Sequence, residues 1–137
     1  ARGNGDDGSS GREVQPEHAL LSSSWVHDFD GLRVGLTHHM PIPELPSYGV
    51  LDAIDRHFDG LELDVVVYGD THVEHITTID DVLCVNPGSP TFPHNLNVQL
   101  GTVGFLDIEN GIPEASIWRL TRDGIEPFDW DTWGRPW

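Results

Sequence analysis

Two apolar stretches of this 137-residue chain close on side chains that can hold a metal or move a proton. "VGLTHH" ends in His38 and His39, and "VVVYGDTH" ends in Asp70 and His72. Polar groups at the ends of buried strands are where α/β proteins place their sites. Alternate residues of an extended segment point to one side. That spacing puts Asp70 and His72 at one locus, with His38 joining from a neighbouring strand. Imidazoles mixed with a carboxylate suit Zn, Mn, Fe or Ni rather than Mg or Ca. Spacing alone leaves a second reading open, in which these are unrelated, solvated loop histidines.

The elements that must position them follow from pattern and punctuation. "HALLSSSWVHDFDGLRVGLTHH" predicts a hairpin turning near Asp30-Gly31, with its second strand at 32–37. Three prolines in "MPIPELP" forbid regular structure there. Ser47 is placed to cap a helix whose Val50, Leu51, Ile54 and Phe58 share a face, and Asp59-Gly60 ends it. Residues 65–68 are apolar on both faces, as in a central strand. Two further hairpins are predicted, turning at Asp80-Asp81 and at Asn110-Gly111. Between them, prolines fix the loop "NPGSPTFPHN". The tail "DGIEPFDWDTWGRPW" holds three of the five tryptophans and little periodicity; it either packs as a flap or meets another protein.

Composition bounds the function. The chain is one domain or part of one, long enough to bury roughly two thirds of its unfolded surface. No apolar run approaches the roughly 18 residues of a membrane span, and the opening "ARGNGDDGSS" is not a signal peptide. Cys84 is the single cysteine, which excludes an internal disulfide and fits a reducing, cytoplasmic setting. Twenty-three acids face seven arginines and no lysine, for a formal charge of −16. Such a surface repels nucleic acid and anionic membrane. It fits either an ordinary acidic protein in which arginine replaces lysine or one adapted to a salty cytoplasm, where screening relieves self-repulsion.

Four motifs, "ARGNGD", "GLTHHM", "VVVYGDTH" and "VLCVNPGSPTFPHN", occur in the order and spacing of the calcineurin-like metallophosphoesterases. The chain resembles the small single-domain phosphodiesterases of that family over residues 1 to about 121, leaving 122–137 as a tryptophan-rich tail. The resemblance implies an α/β fold, a four-layer α/β/β/α sandwich with two divalent metal ions (Mn, Ni, Fe or Zn) at the strand ends. By motif position Asn4 and His38 would ligate the second metal, Asp70 would stand where that ion's remaining histidine belongs, and His72 would ligate the first. Two cations about 3.5–4 Å apart suit in-line phosphoryl transfer. The implied partner is a small phosphate-ester substrate, with self-association left open.

Several positions depart from the family pattern. Asp70 replaces a histidine, so the site either binds through a carboxylate or is decaying. His39 fills a position that is normally open, where it either faces substrate as a catalytic residue or is simply exposed. Gly5 stands where larger relatives carry a catalytic histidine, which favours substrates with good leaving groups. The family's opening Asp-x-His and bridging Gly-Asp do not precede Ala1, so an N-terminally truncated sequence is expected, incomplete and inactive alone. The rival function is a non-catalytic scaffold, as in a retromer subunit that resembles the same family. His18, His27 and His57 read as surface groups, His94 as exposed or near substrate, Asn86 and Ser89 as loop-ordering, and Cys84 as core.

Overall fold

Three tight turns lay out the sheets. At Asp30-Gly31 (φ 52° and 84°), Asp80-Asp81 (45° and 67°) and Asn110-Gly111 (54° and 73°) both central residues are left-handed. Paired left-handed residues match the twist of two antiparallel strands, so each site closes a two-residue hairpin. The first is locked further by the Gly31 amide, which donates to Asp28 Oδ1 at 2.9 Å. The computed structural model describes residues 1–8, 10–42, 47–94 and 100–132.

The first hairpin joins β1 (Ser24–Phe29) to β2 (Leu32–Thr37). Helix α1 (Ser47–His57) then carries the chain to β3 (Val65–Val67), which runs parallel to β2. The second hairpin pairs β4 (Glu74–Ile79) with β5 (Val82–Pro87), and β5 lies parallel to β3. The five strands are ordered β1-β2-β3-β5-β4. β3 is central, and Val65 and Val66 are fully buried, which is why the segment is apolar on both faces. The third hairpin, β6 (Thr102–Glu109) and β7 (Ile112–Leu120), forms a second sheet with β8 (Ile125–Pro127).

Helix α1 packs on one face of the first sheet: Val50, Ala53, Ile54 and Phe58 meet Val66, Tyr68 and Cys84, with Met40 and Ile42 closing the cluster. The second sheet packs on the other face, where Ile76 meets Ile117 and Phe128. The described residues therefore stack as helix, sheet, sheet. Much of the tail packs into this frame: β8 pairs with β7, and buried Phe128 meets Trp130 edge-on at 4.8 Å. Trp133 and Trp137 lie outside the described residues.

Candidate metal centre

β2 stops at Thr37 and delivers His38 and His39; β3 stops at Val67, and the Gly69 amide then donates to the His38 carbonyl at 2.8 Å. This bond sets the two strand-end loops side by side. The N-terminal loop docks over them. Its Arg2 amide donates to Ser22 O at 2.7 Å, and the Arg2 guanidinium donates to the carbonyls of Gln15 and Pro16 at 3.0 Å each. Gly3 lies against the His38 ring so closely that a Cβ there would sit 2.7 Å from ring atoms. Only glycine permits this approach, and it brings Asn4 to the site.

Three side chains converge on the Asp70 carboxylate. Asp70 Oδ1 lies 3.0 Å from His38 Nε2 and accepts from Asn4 Nδ2 at 2.9 Å. Asp70 Oδ2 lies 2.9 Å from Nδ1 of the half-exposed His39. The Asn4 backbone N–H also makes a long contact, 3.4 Å, to His38 Nε2. Nε2 has one in-plane position, which carries either a proton donated to the Asp70 carboxylate or a lone pair available to a cation. Two ligands about 2.1 Å from one ion, at right angles to each other, are about 3 Å apart, which is the spacing of His38 Nε2 and Asp70 Oδ1. Asn4, His38 and Asp70 bring an amide, an imidazole nitrogen and a carboxylate to one point, donor types that divalent transition metals take. Among the described residues, no group of three or more His, Cys, Asp or Glu side chains is arranged to hold a metal; the third donor here is an asparagine.

His72 is held separately. Its Nδ1 donates to the Phe92 carbonyl at 2.7 Å, which fixes the tautomer and leaves Nε2 to carry the lone pair. The sequence argument for a shared locus assumed an extended segment, and the backbone contradicts that premise. Asp70 and His72 have φ of 68° and 58°, both left-handed. The chain coils here because side chains behind it hold it so. Buried Asn86 donates through Nδ2 to Gly69 O (3.0 Å) and Thr71 Oγ1 (3.1 Å), and its Oδ1 accepts from the Gly88 amide at 3.0 Å. The loop-ordering expectation for Asn86 and Ser89 fits these bonds and the Phe92 amide's 3.0 Å bond to Ser89 Oγ. His94 lies beyond, its amide donating to His72 O and its Nδ1 to Thr71 O, both at 3.2 Å.

Two groups titrate abnormally. Burial, with the His39 and Arg56 charges, holds His57 below the usual histidine range; it is not a plain surface group, and its Nδ1 lies 3.5 Å from Thr37 Oγ1. Burial pushes the Cys84 thiol up to about 11, as suits a core residue. Sequence reasoning missed the close approach of Gly3 to His38 and the placement of Phe92. Neither has a signal in spacing, since both depend on how separate loops dock.

The calcineurin-like phosphoesterase superfamily domain matches residues 1–111, and the chain belongs to that family. A probable metallophosphoesterase of Methanothermobacter thermautotrophicus is 36% identical over 72 residues, covering 51% of this chain and 38% of that protein. Among solved structures, Vps29 from Entamoeba histolytica, complexed with Zn, superposes with a TM-score of 0.56 at 23% identity, over 80% of this chain and 61% of that one. A predicted phosphoesterase of Streptococcus pneumoniae gives a TM-score of 0.59 at 20% identity, over 82% and 60%. The chain therefore spans less than two thirds of each relative's length. The fold is the α/β metallophosphoesterase type, a family that binds divalent metals. No helix among the described residues is long and apolar enough to cross a membrane.

Proposed function

We propose that the protein is a metal-dependent phosphoesterase acting on phosphodiesters of small substrates. The observation that carries this reading is the convergence of Asn4, His38 and Asp70 at about 3 Å spacing where two strands end. These three would hold one divalent cation, and His72 would donate Nε2 to a second. When bound, such a pair polarises a phosphoryl oxygen and makes water a competent nucleophile near neutral pH. The chain's own residues supply the rest. Asp70 spans the site, with Oδ1 beside His38 and Asn4, where it would serve as a ligand, and Oδ2 accepting from His39 Nδ1. That bond orients His39 so that Nε2 is the atom to give or take a proton at the leaving group, which Gly5 cannot do.

Turnover of bis-p-nitrophenyl phosphate by the purified full-length protein, with and without Mn²⁺, tests the reading. Mn²⁺-dependent turnover abolished by EDTA is expected. Bound Mn²⁺ with no turnover would favour the second reading, a protein-binding scaffold. Two observations speak for that alternative: the described residues offer the first metal only His72, and the fold is shared with Vps29.

A further inference from the structure

Phe92 is 74% exposed, yet both polar groups of its backbone are hydrogen-bonded to side chains. Its amide donates to Ser89 Oγ at 3.0 Å, and its carbonyl accepts from His72 Nδ1 at 2.7 Å. Pro90 and Pro93 flank it and restrict the chain on both sides. The ring touches the His72 imidazole at a centroid distance of 5.7 Å and an interplanar angle of 86°. Singly exposed apolar residues are ordinary and by themselves mean nothing. Phe92 differs because one peptide unit both orients a candidate metal ligand and presents an aromatic ring to solvent beside it. A ring fixed in advance loses little freedom when something packs on it.

From this placement we propose that Phe92 is a specificity-determining residue, an aromatic platform that selects phosphate esters bearing a planar aromatic group. This rests on the phosphoesterase reading of the Asn4–His38–Asp70–His72 site. Phosphate held by the cations would leave its ester group beside His72, and a planar group there can pack on the Phe92 ring. The platform has no hydrogen-bonding code, since any aromatic ring offers a π-face. It therefore predicts preference for aromatic over aliphatic esters with little discrimination among rings. Two sources share this chemistry, an aryl group and a nucleobase.

Calorimetric titration of the Mn²⁺-loaded full-length protein separates them. Phenylphosphonate against methylphosphonate reports the aryl preference, and AMP against ribose 5-phosphate reports the nucleobase preference. At least one pair should favour the aromatic member by about tenfold in Kd, in keeping with a single stacking contact. Phe92→Ala should bring that ratio close to one, Phe92→Trp should restore or raise it, and Phe29→Ala, an exposed aromatic on β1, should leave it as in wild type. Because the Phe92 side chain is mostly exposed, the alanine variant should fold, and Phe92→Leu separates loss of the π-face from loss of apolar bulk. Anionic ligands that bind with ratios near one, or a ratio that survives in Phe92→Ala, would overturn the proposal while leaving the phosphoesterase reading intact. No binding of any of the four ligands by Mn²⁺-loaded protein would overturn both.

Discussion

Replacing Asn86 by alanine should destabilise the protein by about 2–4 kcal/mol and loosen its metal site at the same time. Three hydrogen bonds are lost, to Gly69 O, Thr71 Oγ1 and from the Gly88 amide. At roughly 1 kcal/mol each they sum to about 3 kcal/mol. Gly69 and Gly88 are only half-buried, so water can reach part of what is uncovered, which pulls toward the lower figure. The cavity left at a fully buried position pulls toward the higher one. Asn86→Asp should be at least as costly, because it keeps the acceptor for Gly88 but aims a carboxylate at the Gly69 carbonyl. The consequence for function follows from geometry. Left-handed Asp70 and His72 are strained, and they persist only while the surroundings hold them. With the brace gone, Mn²⁺ affinity should fall about 10- to 100-fold, the usual effect of removing a group that orients metal ligands. Urea denaturation in EDTA gives the first quantity and calorimetric Mn²⁺ titration the second. A loss below about 0.5 kcal/mol with unchanged affinity would refute the bracing role.

Gly3→Ala should leave the fold intact but weaken Mn²⁺ at least tenfold, because its Cβ would sit 2.7 Å from the His38 ring; wild-type affinity would show that His38 need not be so close. His57 is depressed from 6.5 in the folded chain, so the unfolded chain binds the proton more readily, and stability should be full above pH 6.5 and decline as pH falls below it. His57→Gln should flatten that profile in EDTA-treated protein, and an unchanged slope would assign it elsewhere. Cys84, buried with its thiol pushed up to about 11, should react with a disulfide reagent only on unfolding; rapid native labelling would contradict its place in the core.

Turn chemistry made much of the fold legible. Asp30-Gly31 and Asn110-Gly111 announce hairpins, and the structure closes both with paired left-handed residues. The α1 face of Val50, Leu51, Ile54 and Phe58 read correctly because helical period and burial agree. Short β8 was harder to see. Ile125–Pro127 has no alternation and becomes a strand only because β7 offers an edge to pair with. For the site, the residue types His38, His39 and Asp70 at strand ends were readable, but their conformation was not. The left-handed backbone at Asp70 and His72 is imposed by Asn86, which arrives from a different strand, and no local pattern encodes that. The same holds for Gly3 against His38, a contact between residues 35 positions apart.

The central claim is that Asp70, with Asn4 and His38, holds a divalent ion. Calorimetric titration of Mn²⁺ into full-length wild-type, Asp70→Ala and Asp70→His protein tests it most directly. Wild type should bind, Asp70→Ala should lose affinity by about a hundredfold or more, and Asp70→His, which restores a nitrogen donor, should bind at least as tightly as wild type. Equal affinity for all three proteins would place the ion elsewhere and leave Asp70 as no more than a tether for His38 and His39.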